Sequence, residues 1–208
     1  MAKRTIVLVL GTLLLAGATV IWATRARRSP AACPYSQRLF LDLPRPFMRR
    51  QTLRDMLDLA PGERVLEVGP GTGYYSLDVA RQIAPHGRLD VLDLQQSMLD
   101  ELMRRAAARG IGNIMPMQGD AQRLPYPDAT FDAAFLVATL GEIPDKEQAL
   151  RELRRVLKPS GRLIVGEGQP DPHAISRDRL HALAGAADLT FERHARGRLG
   201  YFARFRAG

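Results

Sequence analysis

The chain has 208 residues and a formal net charge of +8, and its single cysteine, Cys33, excludes an intramolecular disulfide. The first fifty residues hold nine of the thirty Lys and Arg and one of the twenty-two acids, so they account for the whole excess, and from Gln51 onward the charges balance. A nucleic-acid enzyme would carry its positive field on the globular part, so no nucleic-acid partner is expected, and no Cys/His spacing suits a metal ion.

Residues 1–28 read as a transmembrane anchor with basic flanks. Thr5 to Thr24 contains no charged residue and is rich in Leu, Val, Ile, Ala and Gly. At about 1.5 Å per residue it nearly matches a ~30 Å hydrocarbon core, with Trp22 at an interface position. The rival reading is a cleavable signal peptide led by Lys3 and Arg4. Against it, the apolar run is longer than a usual signal core, and Arg25, Arg27 and Arg28 stand where a small-residue cleavage site belongs. Those arginines favour a cytoplasmic downstream domain.

Residues 29–50 form a linker and an amphipathic basic segment. Ser29 to Pro34 reads as a short stiff connection. From Tyr35 to Arg50, Leu39, Phe40, Leu41, Leu43, Phe47 and Met48 alternate with Arg38, Arg45, Arg49 and Arg50. Such a stretch either lies on anionic headgroups or packs as a flap over a pocket in the domain that follows, residues 51–208.

That domain opens with an amphipathic helix, Thr52 to Leu59. Val65-Leu66-Glu67-Val68 then reads as a buried strand that runs into Gly69, Gly71 and Gly73 and opens a helix near Tyr74. The glycines permit positive φ and close approach of a ligand, and the helix start supplies free N–H groups. A second strand, Leu89 to Asp93, ends in an acid about 20 residues on, where ribose hydroxyls are bound. The spacing suits a dinucleotide or S-adenosylmethionine. Glu67, two residues before the first glycine, is a poor neighbour for a pyrophosphate and a good one for a ligand with ammonium and sulfonium charges. Further strands are expected at Asn113–Gln118, Phe131–Val137 and Gly161–Glu167, with helices at Tyr75–Ile83, Ser97–Arg109 and Lys146–Leu157 between them. A helix, Ser176–Ala187, and a tight pair of strands, Leu189–His194 and Gly200–Arg206, complete the pattern. It predicts an α/β, Rossmann-like sheet of seven strands, mostly parallel with an antiparallel edge hairpin.

Five segments in this order carry a resemblance: Glu67 to Gly73, Asp93 to Leu99, Gly119-Asp120-Ala121, Phe131 to Phe135, and Leu153 to Leu163. From about residue 50 onward the chain resembles the class I S-adenosylmethionine-dependent methyltransferases, in the branch of the ubiquinone/menaquinone C-methyltransferases. The resemblance implies that Gly69, Gly71 and Gly73 line the methionine part of the cofactor with Glu67 beneath. It implies that Asp93 takes the ribose hydroxyls, that Leu94 and Ala121 flank the adenine, that Asp120 accepts from the adenine amino group, and that Val137 and Ala138 approach the transfer region. It also implies a cytosolic cofactor supply, which agrees with a single-pass membrane protein whose catalytic domain is cytoplasmic. For Asp120 alone, capping of a turn is an equal reading.

Methyl transfer needs a base only when the acceptor must lose a proton. Glu142 is the candidate catalytic residue, because it follows the fourth strand at the carboxyl edge of the sheet; a plain surface acid before Pro144 is the competing reading. His173 is a weaker candidate. An anchored enzyme whose acceptor arrives from the lipid side is expected to act on a small lipophilic molecule: a quinone precursor, a phospholipid amine or a thiol. The alternatives are a tethered cofactor-binding protein without turnover and, more remotely, an NAD-dependent oxidoreductase.

Overall fold

A computed structural model describes residues 31–43, 45, 48–169 and 171–208. The anchor expected at residues 1–28 and Phe47 of the basic segment lie outside the described residues. Among those described, no helix is long and apolar enough to cross a membrane.

Seven strands form one sheet: β1 (Arg64–Val68), β2 (Arg88–Asp93), β3 (Ile114–Gln118), β4 (Phe131–Val137), β5 (Leu157–Gly168), β6 (Leu189–Arg196) and β7 (Gly200–Ala207). Their spatial order is β3-β2-β1-β4-β5-β7-β6. The first five run parallel, and β7 is antiparallel to both β5 and β6, so the expected edge hairpin is present. The chain reverses direction in strand order at β1 and β4, the place where open α/β sheets form ligand crevices at the carboxyl ends of the strands.

Successive strand residues point to opposite faces, so the sheet builds two cores. Leu66, Leu136, Leu163, Val165 and Phe205 pack on one face with the helices α5 (Lys146–Val156) and α6 (Arg177–Ala186). Val65, Val91, Phe135, Ile164 and Phe202 pack on the other with α2 (Arg50–Leu57), α3 (Ser76–Ile83) and α4 (Gln96–Ala107). Each fully buried Leu or Phe contributes about 1.5–3 kcal/mol of transfer free energy. Asp145 and Ser176 cap α5 and α6 by accepting from Gln148 N at 2.9 Å and Arg179 N at 3.3 Å, a contribution of about 1 kcal/mol each.

Four of the departures from the expected element bounds have a local reason. The first helix of the domain runs from Arg50 to Leu57 and stops before Leu59, because Asp58 takes a left-handed conformation at φ 51°. The helix after the glycines starts at Ser76, beyond Tyr74, because Gly73 at φ 91° donates to Pro70 O and keeps the chain in a turn. Asn113 precedes β3 and ties it down instead, its side-chain amide donating to the carbonyls of Ala80 and Gly87. The expected break at Lys158–Gly161 is a bulge inside β5: Leu157 pairs with Phe131, and pairing resumes only at Arg162 opposite Ala133.

Ahead of the sheet, a turn (Tyr35–Gln37) leads into a short helix, α1 (Arg38–Leu41). Met48, at 5% exposure, belongs to the core and fills the space beside Gly166, Gly168 and Gly200.

Candidate active site

The site forms where β1, β2, β4 and β5 end. Gly69, Gly71 and Gly73 all have positive φ (68°, 53° and 91°), a conformation that side chains with a Cβ resist. Space imposes the same choice at Gly69, where a Cβ would stand 2.4 Å from Thr139 Cγ2. The β4 end therefore closes against the glycine turn from the far side.

Glu67 lies under this turn at 3% exposure. Burial raises its carboxyl to about 8, with Asp93 adding to the shift and Ser76 and Arg45 opposing it. Its Oε2 and the nearby Ser76 Oγ are both buried without a hydrogen-bond partner among the described residues. A buried carboxyl oxygen without a partner is expensive unless a cation or donor completes it, so the cradle fits the ammonium-bearing end of S-adenosylmethionine and disfavours a pyrophosphate.

Asp93 ends β2 at 8% exposure and accepts from Gln95 N at 2.9 Å. Burial raises its pKa, opposed by the N–H groups of Gln95, Gly71 and Leu94. Leu94 beside it is 53% exposed, an apolar surface that suits the face of an adenine. The Gly119–Ala121 loop is brought alongside, with Gly119 N donating to Asp93 O at 3.0 Å. Ala121 is buried. Asp120 is turned to Gln122, accepting from its backbone N and from its side-chain amide, which is the turn-capping role. Val137 is buried at the end of β4, and Ala138 takes φ 53° as the chain swings out.

Glu142 sits in a short 3₁₀ turn (Leu140–Glu142) and accepts from Cys33 N at 3.2 Å. Burial raises it to about 7, moderated by the Cys33 N–H and reinforced by Asp171 and Asp93. A carboxyl balanced near neutrality is the property a general base requires. Two acids that sequence reasoning passed over stand behind it. Glu167, at the end of β5, is raised to about 8 by burial first and Asp171 second, and its Oε1 has no partner among the described residues. Asp171 is raised by burial and accepts from His173 N. The signal for both was their place at or just after the carboxyl end of β5, which the sheet order makes a site position.

The segment from Cys33 to Asp42 crosses the ends of β1, β2 and β4 as a strap. Cys33 holds Glu142 through its N–H and Gln95 Nε2 through its carbonyl. Tyr35 N donates to Gln95 Oε1 at 3.1 Å. Asp42 accepts from Thr72 Oγ1 at 2.8 Å and from both Arg105 Nη atoms at 2.6 and 2.7 Å. Leu41 Cδ1 lies 3.0 Å from where a Gly71 Cβ would be. Leu39 and Leu43 face outward, at 71% and 55% exposure. Tyr75 packs at 3% exposure and donates to Met48 O.

A family model described as a methyltransferase domain matches residues 65–161, the span from β1 to the β5 bulge that holds the glycine turn, Asp93, Asp120 and Glu142. Just under half of the chain therefore matches a methyltransferase domain. The ubiquinone/menaquinone biosynthesis C-methyltransferase UbiE of Cellvibrio japonicus is 45% identical over 118 residues, 56% of this chain and 47% of that protein. The UbiE of Teredinibacter turnerae is 39% identical over 114 residues, 54% of this chain and 46% of that protein. The chain thus spans just under half the length of these curated relatives. Among solved structures, an S-adenosylmethionine-dependent methyltransferase from Aquifex aeolicus superimposes with TM-score 0.78 at 22% identity, covering 85% of this chain and all of the other. The [4+2]-cyclase SpnF superimposes with TM-score 0.69 at 22% identity, covering 76% and 78%. The fold is therefore shared with an enzyme named for another reaction, and the chemistry of this chain rests on its site residues.

Proposed function

We propose that this protein transfers the methyl group of S-adenosylmethionine to a small lipophilic acceptor, and that residues 1–28 anchor it in a membrane with the catalytic domain on the cytoplasmic side. The observation that carries the reading is the buried, unpartnered Oε2 of Glu67 under the glycine turn, with Asp93 at the end of the adjacent strand. Bound there, S-adenosylmethionine supplies an activated methyl group on a sulfonium. The residues of the chain then bind and orient: Glu67 holds the ammonium end, Asp93 the ribose hydroxyls, and Leu94 and Ala121 the adenine. The strap and Val137 exclude water from the transfer region. Glu142 takes the proton from an acceptor hydroxyl, thiol or carbon acid, and a neutral amine needs no base before attack.

A lipophilic acceptor is supported by the names of the curated relatives, ubiquinone/menaquinone biosynthesis C-methyltransferases, and by the apolar run Thr5–Thr24 ahead of the strap. The test uses the full chain in detergent micelles, titrated in parallel with S-adenosylmethionine, S-adenosylhomocysteine and NADH, and then supplied with methyl-labelled cofactor and a lipid extract. Micromolar binding of the two adenosyl ligands and label in the organic phase is the expected result. NADH binding without adenosyl binding would overturn the cofactor assignment. Adenosyl binding with label only in water-soluble products would overturn the acceptor class. Membrane integration is read by resistance of the chain to alkaline extraction from native membranes, and release at high pH would remove the anchor.

A further inference from the structure

The amino-acid end of S-adenosylmethionine carries a carboxylate as well as an ammonium, and Glu67 answers only the ammonium. The cation beside the cradle is Arg45, which the sequence presents as one more basic residue of an amphipathic segment. Its backbone N–H donates to the Tyr74 hydroxyl at 3.3 Å, and its Nη2 donates to Leu41 O at 3.3 Å. Its guanidinium carbon lies 5.2 Å from the ring centre of Tyr74 and 5.8 Å from that of Tyr75, the two residues that follow Gly73. Arg50 also stands over Tyr74, at 4.1 Å, but it is engaged by Asp78 at 3.9 Å. No acid among the described residues forms an ion pair with Arg45, although its field reaches Asp42, Glu67, Glu142 and Asp171 and its side chain also meets the Tyr75 hydroxyl. A guanidinium held over aromatic rings at a cofactor loop, with no carboxylate of the protein against it, is suited to a planar anion from the ligand.

We propose that Arg45 binds the α-carboxylate of S-adenosylmethionine, so that the strap supplies half of the subsite for the cofactor's amino-acid end. Asp42 positions it. Three residues ahead of Arg45, its carboxylate ties the strap at once to Thr72, inside the glycine turn, and to Arg105 on α4. The acid of the subsite therefore comes from the sheet and its base from a segment outside the family-matched residues. This inference rests on the S-adenosylmethionine reading of the cradle.

The test compares the full-length wild type, Arg45→Gln and Arg45→Lys in micelles by calorimetric titration. The ligands are S-adenosylhomocysteine, its α-carboxamide, and methylthioadenosine, which lacks the amino-acid end. Arg45→Gln is expected to weaken S-adenosylhomocysteine by about 10- to 100-fold, with Arg45→Lys in between and methylthioadenosine unchanged. Wild type is expected to lose a similar factor on the carboxamide, to which Arg45→Gln adds little, as two cuts of one contact require. That carboxamide arm needs no variant to fold. Undiminished wild-type binding of the carboxamide would overturn the proposal. So would equal weakening of methylthioadenosine, which would make Arg45 a support of the cradle, or tighter binding by Arg45→Gln, which would make it a competitor of the cofactor. Failure of wild type to bind any adenosyl ligand is a separate result and would overturn the cofactor reading itself.

Discussion

The two ends of the parallel strands treat their acids in opposite ways. At the amino-terminal end every buried or half-buried acid has a basic partner. Asp90, 1% exposed, takes Arg64 at 2.9 Å and Arg88 at 2.7 Å. Glu63 pairs with Arg162, Asp132 with Lys158, and Glu192 with Arg204 and Arg206. Burial pushes Asp132 and Glu192 up, but these partners outweigh it and hold both below the ordinary carboxylate range. At the carboxyl-terminal end Glu67, Asp93, Glu142, Glu167 and Asp171 are all raised, burial being the largest cause each time. One end is built for stability and the other holds its charge balance open for a cationic ligand.

The contrast can be broken in four ways. Glu142→Gln is expected to lower turnover by about 100-fold or more on an acceptor that must lose a proton, with S-adenosylhomocysteine affinity unchanged by titration; undiminished turnover removes Glu142 from the chemistry. Glu67→Gln is expected to weaken S-adenosylmethionine by about 10- to 100-fold while the apo protein at pH 8 melts no lower than wild type. Lost thermal stability with intact cofactor affinity would place Glu67 on the structural side of the comparison.

Asp90→Ala should do the reverse, costing about 1–3 kcal/mol in denaturant unfolding because the two arginines can turn partly to water, with the cofactor Kd unchanged. The last effect is in pH. Folded Glu67 and Glu167 keep protons up to about 8 that the unfolded chain releases near 4.5. The folded state thus binds more protons between those values, and apo stability should decline as pH rises through that window. A melting temperature that climbs steadily from pH 5 to 8 would contradict the raised carboxyls, and Glu167→Gln should flatten the decline.

The strap teaches a related lesson. Tyr35 to Arg50 admitted two readings, a segment on headgroups or a flap over the pocket, and the fold turns only part of its apolar side chains inward as a flap would. Leu41 and Met48 turn inward, onto Gly71 and beside Gly166, whereas Leu39 and Leu43 stay exposed. An apolar–basic alternation cannot reveal this, because nothing within the segment says which groove lies beneath it. Asp42, Arg45, Gln95 and Arg105 were missed for the same reason: their partners are distant in sequence.

The sequence by itself determined the alternation of strands and helices, the positive-φ glycine turn, and acids at the ends of β1 and β2. Those features follow from short-range rules of side-chain period and backbone sterics, and from spacing along the chain. Only the tertiary structure decided that Asp120 caps a turn toward Gln122 and that Glu142 is half-buried against Cys33 rather than exposed before Pro144. It also decided that Glu167 and Asp171 join the same edge and that Arg45 reaches the cofactor turn. Burial and charge pairing are set by neighbours far along the chain, and a carboxyl's chemistry depends on both.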